Sequence, residues 1–156
     1  MRSITECGFE HPSEVQQNCI PAAISREDIL CQAVSGMGKT AVFIISILQK
    51  LDENDPKPCS ALILCNVREL AFQIKKEFDR FTKYLKNIRT GVVFGGVPIQ
   101  ENEKMFKDPE QCPHIVIGTP GRVLALVKKN VMKLDNLEMF VLDECDKMLD
   151  ESDMRA

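Results

Sequence analysis

Short apolar runs alternate with helical patterns along this chain. Residues 28–32, 60–65, 88–94, 114–117 and 139–142 are apolar with little alternation and read as strands. Between them, residues 39–51, 69–85, 98–106 and 120–128 repeat at helical spacing. In the second of these helices Leu70, Ile74, Phe78, Phe81 and Leu85 form one apolar stripe, which leaves Lys75, Lys76 and Lys83 on a solvated face. Strands that are apolar on both faces must be covered on both faces, as in a parallel sheet. Strand and helix taking turns then predicts an α/β fold with helices flanking a mostly parallel sheet. Residues 52–58 form the one linker-like stretch and read as a surface loop.

Composition narrows the class. A chain of 156 residues fits one domain, and at this size roughly 70% of the unfolded surface is buried on folding. With 44% hydrophobic and 28% charged residues the chain is no disordered polymer. Its longest apolar stretch, residues 41–48, is interrupted by Ser46 and is far too short to span a bilayer. The first residues are polar and lack the apolar run of a secretory signal. Cys7, Cys19, Cys31, Cys59, Cys65, Cys112 and Cys145 include no Cys-x-x-Cys pair, which excludes a zinc ribbon. Their expected state is that of reduced, mostly buried thiols in a cytosolic or nuclear protein. The net charge of −3 hides a gradient: residues 66–90 carry seven basic and three acidic groups, residues 135–156 two basic and eight acidic. Such a chain suits contact with an anion in one place and a cation in another.

The chemistry sits at two points. Ala33-Val-Ser-Gly-Met-Gly-Lys-Thr40 follows an expected strand and opens an expected helix, the context of a phosphate-binding loop. Small residues let backbone N–H groups converge on phosphate oxygens at the start of a helix. Lys39 would reach the β and γ phosphates, and the Thr40 hydroxyl would ligate Mg²⁺. Ala33 stands where the general pattern has glycine, and a chance glycine-rich turn is the alternative. Downstream, the expected strand at residues 139–142 ends in Asp143-Glu-Cys-Asp146. A carboxylate at a strand tip holds Mg²⁺, partly through water, and a second one orients the attacking water and accepts its proton. Asp143 and Glu144 take those roles; the alternative is an acidic turn capping a helix near Asp146.

Further segments make the chain recognisable. Gly8-Phe-Glu-His-Pro-Ser-Glu-Val-Gln16, Asn66-Val-Arg-Glu-Leu-Ala71, Gly95-Gly96, Thr119-Pro-Gly-Arg122 and Asp143-Glu-Cys-Asp146 together resemble the DEAD-box family of ATP-dependent RNA helicases over nearly the whole length. The resemblance implies a RecA-like P-loop domain that binds ATP and Mg²⁺. It implies nucleotide contacts from Gln16, Ser35, Gly36, Met37, Gly38, Lys39, Thr40 and Asp146, with Gln16 reading the adenine edge. Catalysis falls to Lys39, Asp143 and Glu144, and Mg²⁺ binding to Thr40 and Asp143. RNA contacts are implied for Arg68, Glu69, Gly95, Gly96, Thr119, Pro120, Gly121 and Arg122. Taken by themselves, Gln16 reads better as an exposed residue of a helix capped by Ser13, the glycine pair equally as an ordinary turn, and Thr119-Pro120 mostly as a plain helix start. Arg122 is opposed by the dipole of that start, which hints at an anionic partner. The cysteine in Asp-Glu-Cys-Asp is similar to helicases of mRNA splicing and nuclear export. That implies a nuclear protein whose partners are RNA and export or splicing factors, and Cys145 is then a small buried spacer.

Some features depart from the family pattern. Asn66 and Val67 replace the usual Pro-Thr, so Val67 should weaken one phosphate contact. The adenine-stacking aromatic would fall before Met1. Residues 1–156 are expected to be an incomplete first RecA-like domain, lacking the Ser-Ala-Thr strand and the second domain with its arginine fingers. From this follow a feeble ATPase and a gap at the sheet centre, between the phosphate-loop strand and the Asp-Glu-Cys-Asp strand, with unpaired backbone and exposed apolar side chains, met by borrowed pairing, by direct contact of the flanking strands, or by a distorted metal site. A non-hydrolysing nucleotide-binding or protein-docking module is the alternative function.

Overall fold

The computed structural model describes residues 5, 6, 8, 10–25, 27–34 and 36–150. Ser35 therefore lies outside the described residues, as do Cys7 and the chain beyond residue 150. The chain runs α1 (Glu14–Ile24), α2 (Lys39–Lys50), β1 (Ala61–Leu64), α3 (Arg68–Phe81), β2 (Thr90–Val93), α4 (Ile99–Lys107), β3 (Ile115–Gly118), α5 (Pro120–Lys128), β4 (Met139–Leu142) and α6 (Cys145–Asp150).

The four strands form one parallel sheet in the order β2-β3-β1-β4. Ala61 lies opposite both Ile115 and Met139, and Leu64 opposite both Gly118 and Leu142. Alternate side chains feed two cores, as strand geometry requires. On one face Ala61, Ile63, Ile115 and Ile117 meet Ile44 and Ile47 of α2 and Ile74, Phe78 and Phe81 of α3. On the other, Leu62, Val93 and Val116 meet Val123 and Leu126 of α5 and Met132. Each such aliphatic side chain, fully buried, contributes about 1.5–3 kcal/mol. The helices are therefore held by the sheet and the sheet by the helices, which is why β1 and β3 can be apolar on both sides.

The expected strand at 28–32 does not form: residues 27–34 have no regular structure, and Leu30 is 91% exposed. A parallel strand exists only through hydrogen bonds to a neighbour, and among the described residues none lies beyond β4. Of the arrangements expected there, strand-to-strand contact is absent, while exposed apolar surface is present: Phe140 and Leu142 stand about half exposed on β4. Helix α3 stops at Phe81 rather than near 85; the Thr82 hydroxyl covers the Phe78 carbonyl, and the chain passes into a turn closed by Leu85 N–H on the Thr82 carbonyl. Leu85 still packs on the core from the following loop. Among the described cysteines Cys59, Cys65 and Cys112 are buried thiols, whereas Cys19, Cys31 and Cys145 are half-buried. Cys145 is thus only partly the buried spacer expected of it.

Candidate nucleotide and RNA site

All strands being parallel, their carboxyl ends lie along one edge, the usual place for ligands in α/β sheets. Asp143 follows β4 at one end of that edge, Cys65 follows β1, Thr119 follows β3, and Phe94-Gly95-Gly96 follows β2 at the other end. The sheet order thereby separates the carboxylates from the segments to which the family resemblance gives RNA contacts.

The phosphate loop is built on two left-handed glycines, Gly36 at φ 86° and Gly38 at φ 79°. Gly38 caps α2 without any side-chain hydrogen bond, so the first N–H groups of the helix are left for an anion. The loop is shaped from outside by α1. Ser13 and Gln16 close a reciprocal capping box, with Ser13 N–H donating to Gln16 Oε1 at 3.0 Å and Gln16 N–H to Ser13 Oγ at 3.3 Å. The same two side chains then reach across: Ser13 Oγ donates to the Met37 carbonyl at 3.0 Å and Gln16 Nε2 to the Gly38 carbonyl at 3.4 Å. Gln16 is accordingly buried and not the exposed helix residue of the alternative reading. The φ of 79° calls for glycine at Gly38, and a Cβ there would push Gln16 Nε2, 2.4 Å away, off the loop. The role of Ser13 in holding the loop is one that sequence reasoning confined to helix capping.

Lys39 turns its ammonium onto its own loop, donating to the carbonyls of Ala33 and Val34. Thr40 follows in the first turn of α2, beside a cavity of about 430 Å³ bounded across from it by Leu70, Gln73 and Lys76 of α3. Asp143 is anchored by its N–H, which donates to the Leu64 carbonyl at 2.9 Å. Burial holds its carboxyl above the ordinary aspartate value and the charge of Glu144 adds to that. A hydrogen bond from the Glu144 backbone and the charges of Lys39 and Lys147 pull the other way. Lys39 and Asp143, remote in sequence, therefore feel each other's charge.

Glu144 sits at φ 52°, left-handed for a residue with a Cβ; such backbone costs on the order of 1–3 kcal/mol and clusters at functional sites. Its carboxylate accepts from Lys147 Nζ at 2.7 Å. Beneath it, burial and then the charges of Asp143 and Glu144 push the Cys65 thiol up to about 12. Asp146 is exposed in the first turn of α6. A partly buried carboxylate next to a second one is a hard-oxygen donor pair that fits Mg²⁺, which keeps much of its water and needs few protein ligands.

Farther along the edge, Arg68 and Glu69 open α3, exposed and paired with each other at 2.8 Å. Val67 caps that helix with no side-chain bond. Gly95, Gly96 and Gly121 have open space where a Cβ would stand, and Gly96 needs glycine for its φ of 90°. Thr119 caps α5 through its backbone only, with Pro120 in the first turn. Arg122 has an internal explanation that the dipole argument overlooked. Its guanidinium donates to Asn102 Oδ1 at 2.7 Å and to the Val97 carbonyl at 2.6 Å, tying α5 to α4 and to the turn after Gly96.

The chain matches the DEAD/DEAH box helicase family over residues 13–156. It is 57% identical to the ATP-dependent RNA helicase SUB2 of Chaetomium globosum over 99% of this chain and 36% of that protein. It is 56% identical to the ATP-dependent RNA helicase WM6 of Drosophila melanogaster over 99% of this chain and 36% of that one. It thus spans about a third of the length of these curated relatives. Among solved structures, the yeast DEAD-box splicing factor Prp28 superimposes with a TM-score of 0.83 at 33% identity, over 94% of this chain and 35% of that one. A hypothetical ATP-dependent RNA helicase from Sulfolobus tokodaii gives 0.82 at 30% identity, over 95% of this chain and 41% of that one. A parallel sheet whose phosphate loop and Asp-Glu-Cys-Asp turn share one edge, and these matches along nearly all of its length, place the chain in the DEAD/DEAH box family of ATP-dependent RNA helicases.

Proposed function

We propose that the chain is the ATP-binding first RecA-like domain of an RNA-dependent ATPase, which couples conversion of ATP and water to ADP and phosphate with RNA or RNP remodelling in mRNA splicing and nuclear export. The observation that carries this is the loop that two left-handed glycines build at the start of α2, with no side chain on its first N–H groups; the Lys39 charge acting on the Asp143 carboxyl supports it. Similarity to proteins named SUB2 and WM6, and to a structure named as a splicing factor, supports the nuclear mRNA setting and partners drawn from its export and splicing factors.

In this reading Gly36, Met37, Gly38 and Thr40 offer backbone N–H groups to the phosphates, and Lys39 leaves the Ala33 and Val34 carbonyls to meet them. Ser35 belongs to the same proposal. Gln16 holds the loop and faces the base. Thr40 and Asp143 would hold Mg²⁺, which when bound neutralises phosphate charge. Glu144 orients the attacking water and takes its proton, and Asp146 helps to keep the nucleotide side of the turn polar. Arg68, Glu69, Gly95, Gly96, Thr119, Pro120, Gly121 and Arg122 form the RNA-facing set, along the part of the edge away from Asp143. Turnover by this chain alone is expected to be slow, because the arginine clamp belongs to a second domain and such a clamp is often worth about 10³ or more.

Titration calorimetry of the chain with ATP and Mg²⁺ tests the proposal. ATP should bind, Lys39→Ala should weaken it by roughly 10–100-fold, the worth of a charge-assisted contact, and GTP should bind less well than ATP. Absence of nucleotide binding, or equal binding by Lys39→Ala, overturns it.

A further inference from the structure

Two thiols unrelated to phosphate chemistry face each other behind the nucleotide loop. Cys19 lies on α1, one turn beyond Gln16, and Cys31 lies on the irregular segment that leads into the loop. Both line one cavity of about 350 Å³, together with Asn18 and Leu30, and both are partly exposed. The Cys31 thiol is raised from its ordinary value by burial first, then by a hydrogen bond to Cys19 and by its charge, with Lys39 opposing. The two thiols thus lie within reach of each other across one cavity. The buried thiols differ: burial raises Cys59 and Cys65 to about 12 and Cys112 less far, and none of them opens onto this cavity.

We propose that Cys19 and Cys31 form a reversible disulfide under peroxide, a modification site that locks the phosphate loop with Lys39 on the Ala33 and Val34 carbonyls. Cys19 thiolate attacks one oxygen of hydrogen peroxide; the S–O bond forms, the O–O bond breaks and hydroxide leaves, giving a sulfenic acid. The Cys31 sulfur then attacks the Cys19 sulfur. The S–S bond forms, the S–O bond breaks, and the oxygen departs as water with the Cys31 proton. Two thiols are oxidised by two electrons and one peroxide becomes two waters. Residues 27–34 are irregular and largely exposed, so they can give the small movement that disulfide geometry demands. The bond would fasten α1, whose Ser13 and Gln16 already hold the Met37 and Gly38 carbonyls, to the other side of the loop. Lys39 would then be kept on the Ala33 and Val34 carbonyls.

The site is independent of the proposed ATPase; only the last readout below rests on it. Treat the Cys7→Ser chain with hydrogen peroxide, digest it under non-reducing conditions and map the peptides. Residues 3–26 and 27–39 should emerge joined, two hydrogens lighter than their sum, and separate after dithiothreitol. Amide hydrogen exchange at Met37 and Gly38 should slow at least fivefold on oxidation, and not at all in the Cys31→Ser variant. Mg²⁺–ATP affinity should fall at least fivefold and return on reduction. A link to any other cysteine, no link at all, or a link that leaves exchange unchanged overturns the proposal. If the reduced chain never binds Mg²⁺–ATP, the ATPase reading fails while mapping and exchange still decide this one.

Discussion

Lys39 at the start of α2 and Asp143 at the tip of β4 lie close enough for the lysine charge to act on the carboxylate. Each has a reason to be where it is that has nothing to do with the other. Lys39 is delivered by two left-handed glycines, and Asp143 by its N–H bond to Leu64 in the ladder. Their meeting follows from β4 pairing beside β1, with α2 packed on the same face.

Asp143 should be a thermodynamic burden when no cation is bound. Its folded-state pKa is raised, so the native state holds its proton longer than the unfolded chain does. Stability from this group is therefore greatest below the ordinary aspartate value and declines as pH rises through the raised one. Asp143→Asn should be as stable as the parent or more so at pH 7 in urea melts, with a flatter pH profile from 4 upwards. The same variant should bind Mg²⁺–ATP at least about tenfold more weakly, a loss of 1.4 kcal/mol.

His114 works in the opposite direction. Burial, then the neighbouring Arg89 charge, lowers it from the ordinary histidine value to about 4. Its ring accepts the Arg89 N–H at 3.0 Å, and Arg89 also holds the Cys112 and Pro109 carbonyls. The unfolded chain thus gains a proton first, and stability should fall as pH drops from about 6.5 to 4, by up to about 3 kcal/mol. His114→Gln should remove that slope in denaturation curves taken between pH 7 and 4.5.

Gln16 carries two separable roles. Gln16→Ala should cost about 1 kcal/mol, the worth of a capping interaction, and should speed amide exchange at Met37 and Gly38, whose carbonyls α1 holds. If it also reads adenine, the preference for ATP over GTP should vanish in the same variant; a preference that survives would restrict Gln16 to holding the loop.

Two glycines near the RNA-facing edge should answer differently to alanine. A Cβ on Gly118 would lie 2.6 Å from Val93 Cγ2 and 2.8 Å from the Val93 carbonyl, with no room to yield. Gly118→Ala should lose about 1–3 kcal/mol through overpacking. Gly121 faces open space inside α5, so Gly121→Ala should gain up to about 1 kcal/mol from helix propensity. Thermal melts of the two variants should move in opposite directions.

Arg122→Ala should destabilise by about 1–3 kcal/mol, because it leaves Asn102 and the Val97 carbonyl without their donor. If Arg122 also contacts phosphate, the salt dependence of RNA binding should shallow by about one unit of slope. An unchanged slope would confine it to bracing α5.

Much of this architecture was legible in the chain. β4 and α5 coincide with their apolar runs at 139–142 and 120–128, because both are bounded by strong local signals: Asp143-Glu144 after the one, Thr119-Pro120 before the other. The segment 28–32 was misread because apolar residues state a wish for burial but cannot supply the neighbouring strand. Local pattern also placed Ser13 and Gln16 at a helix start, yet what that helix leans on depends on α2 lying beside it. The bracing role of Arg122 escapes the sequence for the same reason, since Asn102 and Val97 reach it through the fold. The loop at residues 33–40 and the acidic turn at 143–146 stand out in the chain because each gathers several chemistry-bearing residues into one short segment.

The ammonium of Lys39, resting on two carbonyls of its own loop, has a consequence for discrimination. A guest must outbid contacts already in place, and a lone small anion offers too few oxygens to do so while also filling the helix start. A chain of linked phosphates brings them all at once. On the proposed reading, the loop's own carbonyls are the first competitors of any anion for that ammonium.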